Sequence, residues 1–446
     1  MNRDLTRGPV TKGMLLFALP MILGNLLQQF YNVADTLIVG QFLGATALAA
    51  VGSSYTLMTF LTSILLGMCM GSGAVFSIRF GEGDRARLKN SLSLSFLMIA
   101  AFTVVMNLAV FLLIDPMMGL LQVPEEVYPL MRSYLWVIFW GIGGTFLYNY
   151  FACLLRAIGN SATPLLFLGV SAVLNIALDL VFVVVVPWGV AGAAFATSLS
   201  QWVSGLGLLA FTLAKMPQLR PSRQDVRWEK DRVLEIARFS LLTCVQQSVM
   251  NFGILMVQGL VNSFGTVVMA AFAAAVKIDS FAYMPVQDFG NAFSTFIAQN
   301  YGAKRMDRVR RGIKSAAVSS VVFALLISVL VFVFAKPLLL LFVKPEETEI
   351  LAVGVQYLRI EGAFYFGIGI LFLLYGLYRA IERPGMSLVL TVISLGTRVA
   401  LAYILSAIPA IGVVGIWWSV PIGWALADVT GVLYYKKLRG QLAGRP

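Results

Sequence analysis

The chain has 446 residues, of which 59% are apolar and only 12% charged, with a mean hydropathy of +0.85. A soluble domain keeps about a quarter of its residues charged to wet its surface, so this composition excludes a water-soluble enzyme or binding module and requires an outer surface that faces lipid. The +12 net charge and the absence of histidine then have to be explained within a membrane protein, where carboxylates carry any proton chemistry.

Apolar runs fall at about 14–40, 48–76, 91–114, 130–155, 162–186, 189–214, 237–262, 267–299, 313–335, 352–378, 385–406 and 412–435. Each is long enough for a helix to cross a bilayer, which takes about 20 residues. The runs are continuously apolar and lack the period-two alternation of a membrane barrel strand. The expectation is an all-α membrane protein with twelve transmembrane helices. The polar N-terminus is short, and the run from Met14 is too long for a cleavable signal. The longest polar stretch spans 215–236, where Val226, Trp228, Val233, Leu234 and Ile236 alternate with charge as in a short surface helix. The expected organisation is an N-terminal six-helix lobe (1–214), a cytoplasmic linker (215–236) and a C-terminal six-helix lobe (237–446).

Basic residues sit on one side of this topology. They include Arg3, Arg7 and Lys12 in the N-tail, Arg79 to Lys89 between the second and third runs, and Arg156 after the fourth. Others lie at Lys215 to Arg238, Lys304 to Lys314, Arg379 and Arg383, and in the tail at Lys436, Lys437, Arg439 and Arg445. The opposite loops carry Asp115, Glu125, Glu126, Glu346, Glu347 and Glu349. By the positive-inside rule both termini are expected in the cytoplasm. Topology alone therefore accounts for the net charge, and no nucleic-acid partner is needed.

The two halves match each other. Gly44 pairs with Gly265, Gly81 with Gly302, Arg87 with Arg308 and Pro124-Glu125-Glu126 with Pro345-Glu346-Glu347, all 221 residues apart. After a slip of two, Tyr134-Leu135 pairs with Tyr357-Leu358, Arg156-Ala157-Ile158 with Arg379-Ala380-Ile381, and Gly189-Val190 with Gly412-Val413. Each repeat has an even number of spans, so both enter the membrane from the same side. The implied relation is a pseudo-two-fold axis along the membrane normal, as in transporters that rock about a central cleft.

Charges inside a membrane are costly and mark function by default. The first run places Gln28, Asn32 and Asp35 on one helical face with Tyr31 beside it, and the fifth places Asn175 and Asp179 on one face. Asp35 and Asp179 each lie about seven residues, roughly 10 Å, from the outer end of their helices, and Thr197 about eight, roughly 12 Å. Two carboxylates, an amide and a hydroxyl at one level suit Na⁺, or a proton held between the acids. The repeat places Met256, Arg398, Ala402 and Val420 opposite Asp35, Asn175, Asp179 and Thr197, so cation binding is expected in one lobe only. The second half carries Lys277, Asp279, Asp288, Arg359, Glu361, Arg398 and Asp428, which read as neutralising pairs, with Lys277 set to pair with Asp279 or a neighbour. Arg398 calls for an acidic partner that the sequence does not name. Cys69, Cys153 and Cys244 lie in apolar runs and read as packing residues.

The stretch from Leu19-Pro20 through Gln28-Gln29-Phe30-Tyr31-Asn32-Val33-Ala34-Asp35-Thr36-Leu37-Ile38-Val39-Gly40 resembles the first-helix signature of multidrug and toxic-compound extrusion (MATE) transporters. Arg156-Ala157-Ile158-Gly159-Asn160, Asn175-x-x-x-Asp179, Lys277-Ile278-Asp279 and Asn300-Tyr301-Gly302-Ala303 extend the resemblance over the whole chain. It implies two lobes around a V-shaped central cleft and export of amphipathic, often cationic, compounds in exchange for H⁺ or Na⁺, with no other cofactor. Carried over, Asp35, Asn175, Asp179 and Thr197 match the cation site of the DinF-like branch. The branch with an acid in the seventh helix is not matched, because 238–262 contains no Asp or Glu. Gln28, Tyr31, Asn32, Lys277, Asp279, Asp288 and Glu361 are candidates for the substrate cleft. A monomer in the bacterial or archaeal plasma membrane is expected, with the bilayer and small amphipathic substrates as partners. A lipid-linked saccharide flippase of the same superfamily is the alternative, although such proteins line their cleft with more cations than are found here. An enzyme is disfavoured, since there is no metal-ligand cluster and no nucleophile–base pair.

Overall fold

The computed structural model describes residues 4–120, 123–222 and 225–443; Arg3, Arg223 and Arg445 of the basic series lie outside them. The long apolar runs all become helices, because in lipid every backbone polar group must be bonded within its own segment. In chain order these are α1 (Val10–Leu43), α2 (Ala45–Glu82), α3 (Arg85–Leu112), α4 (Tyr128–Ala157), α5 (Ala162–Val185) and α6 (Gly189–Lys215). The second half gives α7 (Lys230–Asn262), α8 (Thr266–Gly302), α9 (Met306–Val333), a pair Thr348–Gly362 and Tyr365–Ala380 taken together as α10, α11 (Pro384–Ser406) and α12 (Val414–Ala443). Eleven helices among the described residues are long and apolar enough to cross a membrane, and the α10 pair, bent by 50°, makes a twelfth. The twelve-span expectation is met. The surface helix expected in the linker does not form as such. Among the described residues a 3₁₀ turn stands at Pro217–Leu219, residues 226–229 carry no helix, and α7 already begins at Lys230, so the apolar residues from Val233 onward belong to a membrane helix.

The chain divides into two compact units, one built chiefly from Leu19–Cys244 and the other from Leu5–Ala18 together with the chain from Val245 onward. Both boundaries fall inside helices, α1 and α7. Within the first unit α4 packs on α2 and α6, and α5 on α6; within the second α10 packs on α8 and α12, and α11 on α12. The packing order is the same, as the repeat requires. Close approach depends on missing side chains: a Cβ on Gly205 of α6 would lie 2.6 Å from the Gly144 carbonyl oxygen of α4, and one on Gly376 of α10 would lie 2.7 Å from that of Gly290 on α8. Small residues at helix contacts are how membrane helices gain van der Waals packing without a hydrophobic drive.

The repeat also reappears in backbone irregularities. Helix α4 passes through a 3₁₀ turn at Phe139–Gly141, and α10 breaks between Gly362 and Tyr365, the matching position at the 223-residue offset. Left-handed residues recur in pairs as well: Gly44 with Gly265, Gly83 with Lys304, Gly159 with Glu382 and Gly189 with Gly412.

Candidate functional site

Asp35 comes from α1, Asn175 and Asp179 from α5, and Thr197 from α6, all within the first unit. The i, i+4 spacing on α5 stacks Asn175 over Asp179 on its buried face; they are 2% and 0% exposed. Asn175 Nδ2 donates to Thr197 Oγ1 at 3.1 Å. The Asp35 and Asp179 carboxyl groups face each other at hydrogen-bonding range. Yet Asp35 Oδ1, both Asp179 oxygens and Asn175 Oδ1 are buried without a hydrogen-bond partner. The arrangement is a set of acceptors lacking a donor. Immediately after Asp179 the helix widens into a π-helical segment, Leu180–Val185, a distortion common at functional sites. Tyr134, on α4, lies within charge–hydroxyl range of both aspartates and was not among the expected site residues. Its signal was present, since Tyr134 is one half of a repeat pair with Tyr357.

Gln28 rests against the Tyr31 hydroxyl on α1, and the Asn32 carbonyl accepts from Thr36 Oγ1 at 2.8 Å. In the second unit the expected pairing of Lys277 with Asp279 is not made. Lys277 Nζ instead sits over the Phe342 ring, 5.7 Å from its centroid, while Asp279 accepts from Tyr357 at 3.1 Å and from Tyr365. Their side chains diverge because i and i+2 positions point to different sides of a helix. Glu361, 3% exposed, stands beside Asp279, and Arg398 faces both. The charge of Arg398 thus acts on Asp279 and Glu361, from α8 and α10, while its Nε is buried without a hydrogen-bond partner. Asp288 is buried in α8. Among the described residues no group of three or more His, Cys, Asp or Glu is placed to hold a metal ion.

A single family profile, MatE, matches this sequence twice, over residues 20–181 and again over 242–404. The chain belongs to the MatE family. The two matches coincide with the two repeats, so the internal duplication and the family assignment are one observation. The MatE chain is 31% identical over 444 residues to the "Probable multidrug resistance protein YpnP" of Bacillus subtilis, covering 97% of this chain and 96% of that one. It is 25% identical to a Shewanella oneidensis "FAD transporter", covering 94% and 93%. A solved outward-facing multidrug resistance MATE family transporter superposes with a TM-score of 0.92 at 23% identity, over 99% of this chain and 98% of that one, and shares its fold. This MatE protein is accordingly a multi-pass membrane transporter and not an enzyme.

Proposed function

We propose that this MatE protein exports amphipathic organic compounds by antiport, and that the entering cation, H⁺ or Na⁺, is held by Asp35, Asn175, Asp179 and Thr197. The observation that carries the reading is the facing pair Asp35 and Asp179, whose buried oxygens have no donor. Two carboxylates in contact inside a membrane need a bridging positive charge, supplied by a shared proton or a small hard cation. That cation is the co-substrate, so its arrival and departure alter the charge of the first unit by one. Coupling to export then follows from linkage: substrate and cation each lower the other's affinity by the same factor. The curated relatives named for multidrug resistance support the substrate class. The asymmetric distribution of basic residues supports a plasma-membrane protein with both termini in the cytoplasm.

Efflux of a fluorescent cationic dye from vesicles, driven separately by an imposed pH or Na⁺ gradient, tests this reading. Asp35→Asn and Asp179→Asn should each abolish gradient-driven efflux while thermal-shift curves stay close to the parent, because Asn keeps the shape and removes the charge. Near-normal efflux in both variants would discard the site and shift the search to Asp279 and Glu361. The gradient that drives the parent protein identifies the ion.

A further inference from the structure

The chain ahead of α1 is held by side chains from the second unit. Arg308, at the start of α9, donates from Nη1 to the Gly8 carbonyl at 2.8 Å and from Nη2 to the Leu5 and Arg7 carbonyls at 3.1 and 3.2 Å. Its Nε is fixed by Asn300 Oδ1 at 3.0 Å, and its guanidinium lies over the Phe296 ring. Asn300 adds a second bond to the Leu5 carbonyl at 3.1 Å, and Arg305 reaches the Thr6 carbonyl at 2.9 Å. One helical turn further on, Thr11 Oγ1 meets Ser315 Oγ at 2.7 Å. Of the strap Leu5–Gly8, Leu5 alone is fully buried. A planar five-donor fork gathering several carbonyls is a task for arginine that lysine cannot copy.

The corresponding lead-in to α7 is held by the first unit in a different manner. Asn90 of α3 donates to the Asp225 and Arg227 carbonyls, but the helix that follows is also locked. Arg79 pairs with Glu235 at 2.6 Å, and Ser72 bonds Ser240 at 2.8 Å. The α2 backbone comes so close that a Cβ on Gly71 would lie 2.4 Å from the Phe239 carbonyl oxygen and one on Gly67 2.6 Å from Cys244 Cα. In the first turn of α1, by contrast, a Cβ on Gly13 would meet nothing within 4 Å. One lead-in is close-packed and ion-paired. The other is held through its backbone carbonyls by two buried side chains, Arg308 and Asn300, so it can be released by breaking hydrogen bonds without parting two close-packed backbones.

We propose that the strap Leu5–Gly8 undocks and redocks in each transport cycle, and that Arg308 is the residue that positions it. This rests on the antiport reading given above and deepens it, since the strap leads directly into the helix that carries Asp35. The charge change at Asp35 and the docking of the strap are then two ends of one helix, and each biases the other.

The test uses the full chain with Cys69, Cys153 and Cys244 replaced by serine and a single new pair, Thr11→Cys with Ser315→Cys. Reduced protein should export dye at the parent rate. Oxidised protein should lose at least tenfold in rate and recover on adding reductant, and crosslinking should run several-fold faster or slower when an ion gradient is imposed. Arg308→Lys in the same background should slow crosslinking several-fold, with thermal unfolding confirming that the variant is folded. A fully crosslinked protein that still exports, a pair that never crosslinks, or a crosslinking rate indifferent to both pH and Na⁺ gradients would each overturn the proposal. Because the crosslinking rate is read without any dye, failure of the strap and failure of the export reading are separate results.

Discussion

Asp279 accepts hydrogen bonds from Tyr357 and Tyr365 while Glu361 stands next to it and Arg398 faces both. Tyr357→Phe removes one donor from a buried acid and keeps the ring's contacts with Phe272 and Trp417. The expected cost is about 1 kcal/mol, the usual worth of a hydrogen bond between membrane helices, read as a lowered melting temperature in detergent with dye efflux retained. A variant as stable as the parent would mean that Tyr365 alone satisfies Asp279. The two polar centres differ in how far the sequence announces them. Asp35 and Asp179 stand out because spacing and depth place isolated acids at one level, and the structure brings them together. The Asp279 cluster draws residues from α8, α10 and α11, the two furthest more than a hundred positions apart. Closeness in sequence speaks only of neighbours on one helix, so it offered Lys277 either Asp279 or a neighbour, although i and i+2 diverge, and gave Arg398 no partner.

At the level of elements, the repeated left-handed positions separate conformation from packing. Gly83 closes α2 at φ 74°, and a Cβ there would meet nothing within 4 Å, so Gly83→Ala meets backbone strain without a clash. It should cost roughly 1 kcal/mol, measurable as a shift in thermal unfolding. Lys304, its partner in the second repeat, already bears that strain at φ 57°. Lys304→Gly should therefore be neutral or slightly stabilising, since relief of strain offsets the entropy that glycine adds to the unfolded chain. By contrast Gly71→Ala drives a methyl into the backbone of α7 and should cost about 1–3 kcal/mol, with lower yield of folded protein in membranes. Helix existence was legible throughout, because long apolar runs admit little else. The breaks in α4 and α10 were not: no proline stands at Phe139–Gly141 or at 362–365.

For the whole molecule, the one-sided basic loops predict that single cysteines at Glu125 and Glu346 react with an impermeant maleimide on intact cells, and that one at Lys304 does not. Labelling at Lys304 from outside would invert the proposed orientation. Span number, duplication and family were all carried by the sequence, because lipid imposes one rule on every segment and the repeat states it twice. What the sequence did not disclose is that the two compact units are not the two halves of the chain. The opening turns of α1 belong with the second unit, and α7 up to Cys244 belongs with the first. A gene cut in the linker would therefore yield two fragments, each carrying a piece of the other's packing and missing a piece of its own. Expressed singly, either fragment should be degraded or aggregate. Expressed together, they should recover a stable complex that co-purifies through a tag on one of them. In that sense the protein is woven from its two copies, and the duplication that built it can no longer be undone by separating them.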